Sequence, residues 1–141
     1  MTYYFSQRSL ARLQTCHPDL QLLMFEALAD PDCPSDMSVL CGYRGEEEQN
    51  AAYDSGASRL RYPQSKHNRT PYSLAVDVAP YVAGAVSWDW KHYHPLAAHI
   101  KATWQRLEQR ELTTGNYSLS WGGDWTSLKD GPHWQLDKVG T

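Results

Sequence analysis

One aspartate interrupts an otherwise apolar segment, LAVDVAPY, which runs from Leu74 to Tyr81. Alternating apolar and β-branched residues predict a buried strand over this segment. A carboxylate on a buried strand is costly unless a cation lies beside it. Asp77 therefore requires a partner. The sequence offers a metal ion, which we favour, or a buried ion pair with Arg44.

The rest of the chain alternates loosely between helical and extended patterns. Helical spacing and capping residues predict helices from Ser6 or Ser9 to about Gln14, over 20–30, from Glu46 to Gly56 and from Pro95 to Leu112. Extended patterns predict further strands over Met37 to Tyr43 and around YSLSW and HWQL. Together they predict one α+β domain over residues 1–141, in which helices flank a small antiparallel sheet.

Charge and composition exclude several classes of function. A formal net charge of -3 gives no basic field that would attract nucleic acid or an anionic membrane. No apolar run is long enough for a membrane span or a signal-peptide core, so we expect a protein made in the cytoplasm without stable membrane association. The three cysteines include no paired metal-ligand spacing, and their odd number predicts reduced thiols.

Two clusters contain the residue types that zinc catalysis needs. Such a site requires three imidazole or carboxylate ligands and a nearby base that is not itself a ligand. The first cluster pairs His67, in a loop, with Asp77 on the predicted strand; the second is Asp130-Gly131-Pro132-His133-Trp134. The spacing alone also fits an exposed loop histidine, an edge-strand histidine, and an aspartate that caps an Asp-Gly turn.

Three longer blocks carry a family resemblance. They are GYRGEEEQ at 42–49, SKHNRTPYSLAVDVAPY at 65–81 and WGGDWTSLKDGPHWQL at 121–136. These blocks resemble the signatures of the D-Ala-D-Ala metallopeptidase family, the VanY-like or hedgehog-type zinc peptidases. Within that family they are most similar to small phage endolysins that act as L-alanyl-D-glutamate peptidases. The resemblance implies a hedgehog-like, D,D-peptidase-like zinc peptidase fold.

The resemblance also implies roles for individual residues. His67, Asp77 and His133 correspond to the ligands of one catalytic zinc ion, and Asp130 corresponds to the general base. Arg44 corresponds to the arginine that holds substrate, although an ion pair with the glutamates at 46–48 is the alternative.

Three further residues are weaker candidates for contacting substrate. Ser65 and Gln49 follow from the family resemblance, and Trp134 is a candidate because it adjoins a ligand. Asp124 is either a partner that orients a ligand histidine or a loop residue. The histidines at 92, 94 and 99 lie outside the three blocks and are expected at the surface.

Two departures from the family pattern bear on the substrate. The spacer from His67 to Asp77 is longer than in the bacterial carboxypeptidases, and Asp130 stands where many of those have glutamate. Both features resemble the phage branch, so we expect a monomer that cleaves the L-Ala–D-Glu bond of peptidoglycan after holin-type release to the cell wall. The alternatives are a D,D-carboxypeptidase or other D,D-peptidase, and a catalytically silent binding or structural module.

Overall fold

An antiparallel sheet forms the centre of the computed structural model, which describes residues 2–140. Its strands are β1 (Asp36–Cys41), β2 (Ala75–Val82), β3 (Ala85–Val86), β4 (Tyr117–Trp121) and β5 (His133–Lys138). The strand order is β1-β2-β5-β4, and β3 pairs with β2 outside this path. The strand predicted from LAVDVAPY is therefore central, with β1 on one side and β5 on the other.

The helices are α1 (Gln7–Leu13), α2 (Pro18–Ala29), α3 (Glu46–Asp54) and α4 (Trp90–Gln109), with short 3-10 turns at Lys66–Asn68 and Gly122–Asp124. The Ser6 side chain caps α1 by accepting a hydrogen bond from the backbone N–H of Ser9. No helix within residues 2–140 combines the length and apolar character that a membrane crossing requires. The α+β prediction is confirmed.

The two faces of β2 have different roles because side chains alternate along a strand. Val76 and Val78 belong to the hydrophobic core. That core also contains Trp134 and Leu136 of β5 and the buried apolar residues of α2 and α4. Asp77 points to the other face, away from this core. The sheet thus separates a packed helical layer from the face that carries the polar residues.

The structure differs from the sequence prediction at α4, which begins at Trp90 rather than at Pro95. The Asp89 carboxylate accepts a hydrogen bond from the backbone N–H of Lys91 and caps this earlier start. Pro95 then lies inside the helix, where it leaves the exposed Lys91 carbonyl without its helical donor. The segment containing His92 and His94 is therefore helical rather than a loop.

The short strand β3 was also not predicted. It pairs Ala85 and Val86 with the end of β2 through a tight turn in which Ala83 and Gly84 have positive φ. The three cysteines are free thiols, as predicted.

We expect Asp19 to stabilise the fold through a buried contact. Its carboxylate accepts hydrogen bonds from the backbone N–H and hydroxyl of Thr114, tying the loop before β4 to α2. Asp19→Ala leaves these donors unpaired and should lower the free energy of unfolding by about 2–3 kcal/mol, measured by urea denaturation. Asp32→Ala, at an exposed position in a neighbouring loop, is the control and should change it by less than about 0.5 kcal/mol. Equal stability of both variants would contradict this account.

Candidate metal centre

Sheet register places three metal-binding residue types in one row. Asp77 on β2 pairs with Cys41 of β1 on one side and with His133 of β5 on the other. His67 is not on the sheet. It belongs to the Lys66–Asn68 turn, from which its ring approaches Asp77. Atoms of Cys41, His67 and Asp77 lie within 4.8 Å of one another, a spacing suited to a metal ion.

His67 is held by contacts on both its backbone and its ring. The Ser65 hydroxyl caps the 3-10 turn by accepting a hydrogen bond from the His67 backbone N–H. Nδ1 lies 2.8 Å from the carbonyl oxygen of Gly42. Because a carbonyl only accepts, Nδ1 carries the proton in this contact. Nε2 therefore points at Oδ1 of Asp77, 3.2 Å away.

A chain of hydrogen bonds along β5 orients His133. The Asp137 carboxylate accepts from Nε2 of Gln135, at 2.8 Å, which turns the amide oxygen of Gln135 toward His133. That oxygen lies 2.8 Å from Nε2 of His133, so this ring nitrogen is the donor. Nδ1 of His133 consequently faces Oδ1 of Asp77 at 3.2 Å.

These contacts test whether the residues fit a metal ion. Both imidazoles use one nitrogen as a donor elsewhere and direct the other at the same carboxylate oxygen. Ligand atoms of a tetrahedral zinc ion, each about 2.0–2.1 Å from the metal, lie about 3.3–3.4 Å apart. The two nitrogen–oxygen separations of 3.2 Å are close to that spacing. Donor type, orientation and these two separations therefore fit zinc, and outer hydrogen bonds of the kind that orient zinc-binding histidines are present.

The pKa values of His67 and Asp77 show how strongly this site requires a positive charge. Burial lowers the pKa of His67, but the adjacent Asp77 carboxylate outweighs it and raises the pKa to about 10. Burial raises the pKa of Asp77, whereas the charge of His67 and the contacts with both histidines bring it well below its usual range. The cluster therefore demands a positive charge next to Asp77, which a proton or a metal ion supplies.

Arg44 follows β1 and reaches into the same site. Its guanidinium lies 3.5 Å from Oδ2 of Asp77 and donates to Oε1 of Gln49 at 3.0 Å. Arg44 and the two histidines that the sequence suggested as zinc ligands thus all contact this one carboxylate. The alternative ion pair between Arg44 and the glutamates at 46–48 does not form among the described residues.

Asp130 lies in the loop before β5 and lines the cleft above Asp77. Its backbone N–H donates to the carbonyl of Gly122, and its own carbonyl accepts from the backbone N–H of His133. Burial and the negative charge of Asp77 raise the pKa of the Asp130 carboxyl. A carboxylate that is more basic than usual suits proton transfer near neutral pH.

Two glycines permit the close packing around these residues. A Cβ on Gly42 would collide with Thr15 and the Arg12 carbonyl, so only glycine allows the approach that brings its own carbonyl to His67. A Cβ on Gly122 would collide with the Asp130 carbonyl and press against His133.

His67, Asp77 and His133 line a cleft of about 430 Å³. Two chain segments line most of it, 57–67 and 125–135, and they meet at Asp77. The cleft contains Arg44, Ser65 and Asp130 among the residues that the sequence singled out. Ser65 is nearly buried, and its hydroxyl caps the turn that carries His67.

The structure does not bring Gln49 or Trp134 to the cleft surface. Gln49 is fully buried and bonds Arg44, Ser58 and the Leu60 carbonyl, so it supports Arg44 from behind. Trp134 is buried on the helical face, because it alternates with His133 along β5, and it stacks on Trp121. Both substrate-contact predictions are therefore wrong in this structure.

Asp124 does not orient a ligand histidine either. Its carboxylate pairs with Lys101 at 2.6 Å. Gln135 and Asp137, which orient His133, were not predicted from the sequence, and neither was Cys41, which pairs with Asp77. Strand alternation was the available signal, since residues 133, 135 and 137 share one face.

Comparisons with known proteins identify the family of the chain. A family model described as phage L-alanyl-D-glutamate peptidase matches residues 1–136. The chain is similar to the peptidoglycan L-alanyl-D-glutamate endopeptidase CwlK of Bacillus subtilis (strain 168), with 29% identity over 109 residues. That match covers 72% of this chain and 60% of the relative, so the chain spans less than two thirds of the length of CwlK.

Among solved structures, the chain is similar to the L-Ala D-Glu endopeptidase ChiX of Serratia marcescens. The TM-score is 0.70 and the identity 29%, over 95% of this chain and 90% of that chain. The fold and the family resemblance drawn from the three sequence blocks are both confirmed.

The orientation of His133 leads to a prediction about metal affinity. Gln135→Met removes the acceptor for Nε2 of His133 and should weaken zinc binding by about 10–100-fold, measured by chelator competition. Lys138→Gln, on the same strand but exposed, should leave the affinity unchanged. An unchanged affinity in Gln135→Met would show that Gln135 does not orient the ligand.

Proposed function

The chain belongs to the phage L-alanyl-D-glutamate peptidase family, and from this membership we propose that it is a zinc-dependent endopeptidase that hydrolyses the L-Ala–D-Glu bond of peptidoglycan stem peptides. The observation that carries the zinc assignment is the convergence of His67 and His133 on one oxygen of Asp77. We also propose that residues 1–141 form one catalytic domain.

His67 Nε2, Asp77 Oδ1 and His133 Nδ1 are the proposed metal ligands. When bound there, zinc supplies a Lewis acid and lowers the pKa of water, which makes a nucleophile available at neutral pH. Asp130 is the proposed base. Its carboxylate takes a proton from the attacking water and returns it to the departing amino group of D-Glu.

Arg44 is proposed to bind the scissile carbonyl. Gln49 and Asp77 hold its guanidinium at the cleft, and its remaining N–H groups are available to an oxygen that gains negative charge during attack. Gln49 then acts through Arg44. Its burial and its four-way hydrogen bonding, to Arg44, Ser58, Leu60 and Asn68, fit that supporting role.

The shape of the cleft favours an endopeptidase over the D,D-carboxypeptidase alternative. The cleft is lined by the 57–67 segment and the 125–135 segment, which bring His67 and His133 separately to Asp77. Such a cleft accommodates substrate on both sides of the cut bond, whereas a carboxypeptidase needs a pocket closed around a terminal carboxylate.

We also propose that the enzyme acts as a monomer and reaches the wall from the cytoplasm after holin-type release.

Digestion of purified peptidoglycan tests which bond is cut. We expect mass spectrometry to detect released peptides with a new N-terminal D-Glu, leaving L-Ala on the glycan. Release of terminal D-Ala alone would instead identify a D,D-carboxypeptidase.

Asp130→Asn keeps the shape of the side chain but removes the base. We expect kcat to fall by about 10²–10⁴-fold while one zinc ion stays bound, measured on the same digestion with metal analysis of the protein. Asp32→Asn, in an exposed loop, is the control and should retain full activity. If the wild type and Asp130→Asn are equally inactive with zinc bound, the chain is a silent module.

Metal removal provides an independent test. Chelation should abolish hydrolysis, and added zinc should restore it in the wild type. In His67→Ala, zinc affinity should fall so far that the same addition does not restore activity. Full activity of the chelated wild type would contradict the zinc mechanism.

A further inference from the structure

A second cavity lies beside the cleft. It is a groove of about 460 Å³ between α4, the edge strand β4 and the Gly122–Asp124 turn. Trp125 lines both the groove and the metal cleft, so the two cavities adjoin at this side chain. Its ring centroid lies 5.0 Å from that of His133. A substrate bound at the metal can therefore extend past Trp125 into the groove.

The lining of this groove has the chemistry that recognises sugars. The half-buried indole ring of Trp125 supplies the accessible aromatic surface, whereas Trp104 and Trp121 are buried beneath the groove and Lys101 lies over the Trp121 ring. Polar side chains surround them: Lys101, Gln105, Glu108, Ser118, Ser120 and Asp124. Sugar rings present C–H faces that pack on aromatic surface, and they carry hydroxyl and acetamide groups that need donors and acceptors at the rim. The groove provides both.

Positively charged side chains in the cleft indicate which end of the cut peptide lies on which side. Arg59 and Lys66, on the 57–67 segment, have no carboxylate partner within residues 2–140. The D-Glu side of the cut bond carries free carboxylates, which suit these cations. The L-Ala side is uncharged and leads to the glycan. That side consequently faces the aromatic segment that contains Trp125.

The covalent structure of peptidoglycan fits this direction. L-Ala is joined to the glycan through the lactyl group of muramic acid, so only two short units separate the cut bond from the sugar. At about 3.5 Å each, they span roughly 7 Å. With the scissile carbonyl at the metal, the sugar ring therefore reaches Trp125 and the start of the groove.

We propose that this groove binds the glycan strand of peptidoglycan, and that the enzyme prefers L-Ala–D-Glu bonds still attached to muramic acid. The proposal rests on the function proposed above. Gln105 and Glu108 contact the sugar at the rim, and Trp125 packs against its ring. The free carboxylates of the peptide lie toward Arg59 and Lys66.

The test compares two substrates on the zinc-loaded enzyme. One is a disaccharide carrying L-Ala–D-Glu–diaminopimelate on its muramic acid; the other is the same tripeptide with only an acetyl group on L-Ala. We expect the wild-type kcat/KM to be at least about tenfold higher for the first substrate. In the double variant Gln105→Ala/Glu108→Ala, this ratio should fall by about fivefold or more.

Gln109→Ala is the matched control, since Gln109 is exposed on the same helix and does not line the groove. It should keep the wild-type ratio. Equal kcat/KM on both substrates, or an unchanged ratio in the double variant, would overturn the glycan proposal while leaving the proposed function intact. If the wild type cleaves neither substrate, the proposed function fails and the glycan proposal fails with it.

Discussion

One carboxylate oxygen, Oδ1 of Asp77, is the point on which the site depends. It lies on the central strand of the sheet at the floor of the cleft, where its partial burial makes a nearby cation necessary. Two imidazoles and a guanidinium approach Asp77 from three other parts of the chain. The register of β2 with β5 brings one of these groups, His133, directly opposite. The pairing of β2 with β5 therefore also places a partner for the charge of Asp77.

Each group around Asp77 is oriented by a partner outside the cluster. The Gly42 carbonyl fixes His67, the Gln135–Asp137 pair fixes His133, and Gln49 fixes Arg44. These partners come from different elements, so the site requires β1, β2, β5 and the α3 helix together. Both histidines therefore direct one ring nitrogen at the same carboxylate oxygen before a metal binds, and a metal ion that binds there displaces the proton of His67.

Sequence reasoning recovered the features that local chemistry determines. A charged residue in an apolar strand marked Asp77, and matched blocks marked His67, His133, Asp130 and Arg44, which the structure gathers in one cleft. It misplaced Gln49 and Trp134. Burial of Gln49 depends on how α3 packs against the 58–60 segment, and helical spacing does not reveal that. The position of Trp134, in contrast, could have been predicted from the sequence, because strand alternation places it on the face opposite His133.

The most direct test of this account is a crystal structure of the zinc-loaded protein with anomalous scattering measured at the zinc edge. We predict one strong peak bonded to His67 through Nε2, to Asp77 through Oδ1 and to His133 through Nδ1, with Gln135 still accepting from the other nitrogen of His133. A peak elsewhere, or coordination of His133 through Nε2 with Gln135 turned aside, would contradict it.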